Sequence, residues 1–335
     1  MAASHAAVTS PELDVVAIGD AIVDVIATCD DSFIATRGLT KGSMQLLTTA
    51  AADELYAAMG PARESSGGSA ANSMAGLAGL GLDVAFIGQV ADDQLGEIFA
   101  HDMISLGVRF ETAPLTGGPP TGRCLILVTP DAQRTMNTSP GASHELTPQV
   151  LDETLIRSAA VTFLEGYLWG PERPRAAMLK AAEIAHAAGR TVAFTLSESL
   201  CIPGRREGVR SMIDRGTVDI LFGNEDEIRH LTGRDELDAS IAELQPAVKT
   251  LVVTKGADGA LAVEGGARVD ITAAPVAKIV DTTGAGDLFA AGFLAARCRG
   301  RDLAACLEAG AKCAAEIISH FGARPEADLK TLVKL

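Results

Sequence analysis

Positive charge is what this 335-residue sequence has little of: 28 Lys and Arg face 43 Asp and Glu, leaving a formal net charge of −15. With no basic stripe to offset that balance, a nucleic-acid backbone is excluded as partner, and a phosphate-bearing ligand needs a local positive pocket. Paired cysteines are missing too. The six, at positions 29, 124, 201, 298, 306 and 313, form no Cys-x-x-Cys, and they read as reduced thiols of a cytoplasmic protein. No uncharged apolar run reaches the length of a membrane span. Residues 1–11 lack a charged start followed by an apolar stretch, so they read as a flexible terminus and not as a secretory signal. There is no Gly-x-x-x-x-Gly-Lys-Ser/Thr, which excludes a P-loop, and no His-Glu-x-x-His or cysteine cluster to hold zinc. Gly284-x-Gly286-x-x-Phe289 lacks the third glycine of a dinucleotide fingerprint, which argues against a dehydrogenase.

What is present is alternation. From Ala159 onward, apolar runs at 160–164, 191–196, 218–222 and 250–254 alternate with helical patterns at 172–188, 224–232, 286–298 and 303–319. That predicts an α/β fold, a mainly parallel sheet covered by helices on both faces, with ligands beyond the carboxyl ends of the strands. Residues 13–19 predict a further buried strand whose end delivers Asp20 and then Asp24. Residues 26–48 and 114–138 are mixed and glycine-rich, with a strand at 123–128 and a turn at 131–135, and they read as β-structure standing off the main sheet. Between them Gly67-Gly68 opens a helix of small residues that includes Asn72.

One stretch carries most of the chemistry. Residues 275–280 read as a strand, Thr283-Gly284-Ala285-Gly286 as a turn, and Leu288, Phe289, Phe293 and Leu294 recur at helical spacing. A helix start offers unpaired N–H groups and partial positive charge to an anion, and the two glycines let a phosphate approach the main chain. Asp287 then has two readings: a helix cap, or a base that takes the proton of an alcohol attacking a γ-phosphate.

The full string Asp281-Thr282-Thr283-Gly284-Ala285-Gly286-Asp287, followed by Phe289-x-x-Gly292-Phe293, resembles the C-terminal signature of the PfkB (ribokinase-like) carbohydrate and nucleoside kinases. The resemblance runs from Asp14 to about Pro325, and implies a ribokinase-like domain over residues 12–335 with lid insertions at about 26–48 and 114–138. It implies transfer of the γ-phosphate of ATP, with Mg²⁺, to a primary alcohol, with Asp287 as base and Gly284, Ala285 and Gly286 as anion hole. Asp24, Gly68 and Asn72 fall on family positions that contact substrate hydroxyls. Asp20 stands where nucleoside kinases often carry Asn. Asn224 and Glu227 match an Asn-x-x-Glu that tunes the Mg²⁺ and phosphate environment. Thr254, Lys255 and Gly256 resemble a loop on the nucleotide side, and Arg134 a lid arginine that clamps phosphate. Asp281 and Thr283 match a monovalent cation site, so K⁺ joins ATP and Mg²⁺ among the implied cofactors.

Gln45 within Lys41-Gly42-Ser43-Met44-Gln45, the Pro120-Thr121-Gly122 segment, and Tyr167 within Glu165-Gly166-Tyr167-Leu168-Trp169 look most like bacterial adenosine kinase-like members. Adenosine is thereby the first acceptor expected, a pentose or hexose the second, and inosine or guanosine the third. A small-molecule nucleoside or sugar is the implied partner, bound by a monomer or by a homodimer joined through the lid. A non-catalytic nucleoside-binding protein of the same fold is the alternative of another class, and the intact Gly284-Ala285-Gly286-Asp287 speaks against it.

Overall fold

The computed structural model describes residues 11–131, 133–197 and 204–335. Fourteen strands occur in it, in chain order β1 (Leu13–Ile18), β2 (Ile22–Thr28), β3 (Met44–Leu46), β4 (Ala62–Gly67), β5 (Val84–Ile87), β6 (Val108–Arg109), β7 (Gly122–Val128), β8 (Arg134–Ser139), β9 (Ala159–Glu165), β10 (Thr191–Thr195), β11 (Ile220–Asn224), β12 (Thr250–Thr254), β13 (Ala260–Glu264) and β14 (Ala267–Ile271). Nine of them form the main sheet in the order β14-β13-β12-β11-β10-β9-β1-β5-β6, parallel except at the β12-β13-β14 edge.

Strand side chains alternate between faces, and the two cores follow that alternation. Val15, Ala17, Phe222 and Val252 pack with the helices Ser69–Gly79, Ala285–Cys298 and Leu303–Ile317. Val16, Ile18, Leu221 and Leu251 pack on the other face with Glu172–Ala187, Glu225–Thr232 and Leu237–Leu244. Small residues let the first helix group come close. A β-carbon on Gly76 would meet Leu288 Cδ1 at 2.6 Å, and one on Gly292 would meet the Ala309 carbonyl oxygen at 2.4 Å. That close approach sets Asp287 beside the start of the Ser69–Gly79 helix.

A second sheet, β3-β8-β7-β2-β4, stands over the carboxyl ends of the first and carries a small apolar cluster of its own, Ile22, Cys124 and Ile126. It is larger than the two insertions expected: β2 begins at Ile22, and β4 lies outside both. The 26–48 segment is not all β either, since Asp31–Thr36 is a helix. Arg134, expected in a turn, opens β8.

Residues 275–280 form no strand. Pro275 and Ile279 are exposed, the chain bends at residue 277, and the Val280 amide bonds the Ile318 carbonyl (2.8 Å), so the run into the glycine turn is tethered to a helix end instead of to a sheet. The cysteines at 29, 124, 298, 306 and 313 are free thiols; Cys201 lies outside the described residues. Burial pushes Cys124, Cys298 and Cys313 up to about 12, which leaves them unreactive. Among the described residues no helix is long and apolar enough to cross a membrane.

Candidate active site

A cavity of about 470 Å³ lies between the two sheets. Its floor is the set of strand ends: Asp20 beyond β1, Tyr167 after β9, Thr195 of β10, Asn224 of β11 and Thr254 of β12. Its roof is Ile22, Met44, Leu46, Cys124, Ile126, Met136 and Thr138 of the second sheet.

The helix Ala285–Cys298 enters from Gly284, whose φ of +79° is one that a β-carbon disfavours. A side chain there would also strike Ala323, with Cβ atoms 2.9 Å apart, whereas one on Gly286 would meet nothing within 4 Å. The Ala285 amide is used by the Thr282 carbonyl (3.2 Å). Those of Gly286 and Asp287, in the first turn, have no carbonyl within the helix to meet, so the positive end of the helix borders the cavity.

Asp287 is the group on which the network converges. Its Oδ1 accepts from Ser69 Oγ (2.6 Å) and its Oδ2 from Asn72 Nδ2 (2.8 Å), while Ser73 Oγ donates to its main-chain oxygen (3.0 Å). Burial raises the Asp287 carboxyl above the ordinary range, opposed by these two side-chain bonds and by the charge of Arg324. Arg324 donates through Nη1 to Asn72 Oδ1 and through Nη2 to Ser66 Oγ (2.9 Å). Because the Asn72 oxygen is taken by a guanidinium, its NH₂ must face Asp287. Sequence reasoning missed Arg324 altogether; nothing in Gly322-Ala323-Arg324-Pro325 signals it.

Asp24 sits within β2, beside Gly67, where a β-carbon would come 2.6 Å from its carboxyl group. Burial pushes Asp24 up to about 6, against the pull of Arg324 and Arg134 and with the push of Asp287. Asp20 accepts from Ser143 Oγ (2.8 Å) and is also raised by burial. Gly68, at φ +95°, is obligatory, because a side chain would lie 2.2 Å from the Asp20 carbonyl oxygen. Beneath both, the fully buried Glu165 accepts the Asp20 amide on one oxygen and the Ala70 amide on the other, each at 2.6 Å. It ties the Asp20 loop to the helix that carries Asn72. Burial, then the charge of Asp20, raises Glu165 well above the usual carboxylate range.

Other expected residues are arranged differently. Gln45 does not line the cavity: Met44 and Leu46 do, and on a strand the residue between them faces the other way, where its Nε2 donates to Asn137 Oδ1 (2.7 Å). Arg134 is paired with Asp281 (2.7 Å) and lies over the Phe321 ring. Asp281 further accepts from the Thr283 amide and hydroxyl and from the Gly322 amide. With an arginine as its counter-charge, Asp281 is not presented to a monovalent cation. Lys255 bonds Asp270 (3.2 Å), and neither it nor Gly256 borders the cavity, though Thr254 does. Asn224 and Glu227 border the cavity and bond each other's amides (2.8 Å each) as a capping box at the start of Glu225–Thr232. Trp169 is buried edge-on against Phe194; Tyr167 alone of that aromatic pair borders the cavity.

Among the described residues no group of three or more His, Cys, Asp and Glu side chains could hold a metal alone. The arrangement as a whole offers a buried carboxylate next to main-chain donors, with hydroxyl-binding groups on one side and a helix start on the other.

Comparison with known proteins identifies the family of the chain. The model of the pfkB family carbohydrate kinases matches residues 12–330. The chain is 34% identical over 307 residues to an ATP-dependent ribose-1-phosphate kinase of Halopiger xanaduensis, covering 87% of this chain and 96% of the relative. The solved adenosine kinase from Sinorhizobium meliloti superimposes with a TM-score of 0.90 at 46% identity, over 96% of this chain and 99% of that one. A probable sugar kinase from Rhizobium etli CFN 42 gives 0.90 at 41%, over 97% and 98%. On these matches the chain belongs to the pfkB family of carbohydrate kinases, and is a kinase whose acceptor is a sugar or nucleoside hydroxyl.

Proposed function

We propose that this chain transfers the γ-phosphate of ATP to the 5′-hydroxyl of a ribosyl acceptor, with adenosine as the preferred one. The observation that carries the reading is the make-up of the cavity: Asp20, Asn72 and Asp287 below, and a roof in which Asp24 and Thr138 are set among the apolar Ile22, Met44, Leu46, Ile126 and Met136. A nucleoside matches that division, since its ribose is polar and its base presents an apolar face. A free pentose or hexose would leave the apolar part of that roof uncovered or set hydroxyls against it, away from Asp24 and Thr138. Leu46 is half exposed, and a base beneath it would cover it.

In this reading Asp24, Asn72 and the Gly68 main chain hold the ribose hydroxyls and aim the 5′-oxygen at Asp287. The proton of that hydroxyl passes to Asp287 as the oxygen–phosphorus bond forms and the bond to the bridging oxygen of ADP breaks. The amides of Gly286 and Asp287 stabilise the charge on the phosphoryl in flight. Asn224 and Glu227 would face the hydrated Mg²⁺ that accompanies the nucleotide, which when bound would neutralise phosphate charge. Asn224, Glu227 and Thr254 face the nucleotide, and Gly284 sets the turn that opens the anion hole. The second sheet excludes water, which competes with the alcohol for the phosphoryl group.

ADP release measured with adenosine, inosine, guanosine, ribose, fructose and ribose 1-phosphate tests the acceptor. Adenosine should give the highest kcat/KM. If ribose or fructose exceeds it by orders of magnitude, the nucleoside reading fails and the kinase one stands.

The pH dependence follows from Asp24. A carboxyl raised to about 6 is an anion above that pH and is neutralised as pH falls through it, so acceptor capture should weaken on the acid side. Between pH 7 and pH 5, kcat/KM for adenosine should fall by about tenfold, since each unit below the pKa removes a factor of ten in the ionised form. Asp24→Asn should lower kcat/KM at pH 7 and leave only the limb that belongs to Asp287. An acid limb unchanged by that substitution would detach Asp24 from acceptor binding.

A further inference from the structure

The cavity is bordered by the carboxylates Asp20, Asp24, Glu227 and Asp287, and few cations border it with them among the described residues. Arg134 is committed to Asp281 and Lys255 to Asp270. Among the described residues bordering the cavity, Arg205 is the only side chain with a permanent positive charge, and His144 the only other basic one.

Arg205 is the first residue of the helix Arg205–Asp214. Among the described residues it makes no ion pair within 4 Å and one hydrogen bond, from Nη1 to the Tyr167 carbonyl at 3.5 Å, at the long limit for such a bond. Gly170 leaves room for its guanidinium, since a β-carbon there would lie 2.1 Å from Nη2. Its electrostatic neighbour is Asp20, which His144 also faces. Ser197 also lines the cavity, two residues beyond Thr195, which pairs with Glu165, itself two residues before the Tyr167 that Arg205 bonds; it is one of two non-glycine residues with positive φ among the described ones (55°), and its Oγ is buried with no hydrogen-bond partner among them. A guanidinium with most of its donors unused and a buried hydroxyl with no partner among the described residues cost folding free energy. They become satisfied when an anion with several acceptor oxygens sits between them, and a guanidinium fork fits two oxygens of a phosphate.

We propose that Arg205, His144 and Ser197 form a phosphoryl-binding corner, a site for a phosphate monoester or terminal phosphoryl group at the Asp20 end of the cavity. It rests on the kinase reading above and adds to it the cation that neither Arg134 nor Lys255 supplies. A phosphoryl group reaches this corner from one of two sources: the donor nucleotide, or an acceptor that already carries a phosphate.

The test uses Arg205→Met and Arg205→Lys in the full chain, with far-UV circular dichroism and Tm to establish folding. ATP with adenosine, and ATP with ribose 1-phosphate, are assayed for ADP release. If the donor is held, KM for ATP rises at least about tenfold in Arg205→Met, with KM for adenosine within twofold of wild type. If an acceptor phosphate is held, turnover of ribose 1-phosphate falls by at least that factor and turnover of adenosine is unchanged. Arg205→Lys keeps the charge without the fork and should lie between. All parameters within twofold of wild type in both variants would overturn the proposal. Calorimetric titration of ADP and of ribose 1-phosphate into wild type and variant keeps this separate from the kinase reading. If wild type turns over no acceptor, weaker binding of either ligand in the variant still upholds the corner, and equal binding of both removes it. Should Arg205→Met fail to fold, Arg205→Lys and Ser197→Ala take its place under the same criteria.

Discussion

Asp287→Asn should lower kcat by roughly 10² to 10⁴, the range for removal of a positioned general base, with KM for the acceptor changed by no more than a few-fold. On the proposed function the separation is expected, because Asp287 would touch the acceptor through the proton that moves only in the transition state, while Asp24, Gly68 and Asn72 would hold the other hydroxyls. Asparagine keeps the shape and one acceptor oxygen, so the bond from Ser69 or the one from Asn72 survives and the fold is retained. What is lost is the second acceptor and the negative charge. Steady-state kinetics with direct binding of the acceptor by calorimetry separates the two effects. Turnover like that of wild type would take Asp287 out of the chemistry and return it to the role of a first-turn residue. Equal losses in binding and in turnover would mean that it holds substrate and does not take the proton.

That Asp287 could be singled out from sequence reflects how local its chemistry is. The turn, the helix start and the base are contiguous, so Gly284, Ala285, Gly286 and Asp287 leave a readable string. Gly68 was legible through the contiguous Gly67-Gly68-x-x-x-Asn72 string, while the physical reason for a glycine there, the Asp20 carbonyl, is visible only in the fold. The main sheet was legible because its strands are apolar runs between helical ones; the strand expected at 250–254 matches β12 residue for residue.

Where reading failed, the missing information was long-range or a matter of register. Gln45 is off by one position, and on a strand one position turns a side chain to the other face. Lys255 lies on a loop that does reach the cavity through Thr254, but its own partner, Asp270, comes from a hairpin strand fifteen residues on. Glu165 stood in a quoted motif, yet its two amide partners lie 145 and 95 residues away in sequence. No local pattern announces such a group, because a buried glutamate bonded to main-chain amides looks like any other acidic residue until the chain is folded around it.

Arg324 is the strongest instance, and substituting it should have the second large effect. Arg324→Met should lower kcat/KM by about 10²-fold and folding stability by about 3 kcal/mol, the scale of losing two hydrogen bonds from a charged donor. Two consequences of one missing cation drive the activity loss. Without Nη1, Asn72 Oδ1 has no donor, and the amide is free to turn its oxygen toward Asp287, which replaces a donor by a repelling acceptor. Without the positive charge, Asp24 and Asp287 lose a group that favours their ionised forms. Both carboxyls therefore rise further, and because each acts as an anion, the acid limb of the pH–rate profile should move to higher pH, above the value near 6 at which Asp24 titrates in the native chain. Arg324→Lys restores charge without bonding Asn72 and Ser66 together, so it should recover most of the limb position and less of the rate. A variant whose limb stays in place while its melting temperature falls would show Arg324 to be a packing residue with no hold on the base. A limb that moves while Asn72→Ala moves it by the same amount would assign the whole effect to the amide and none to the charge.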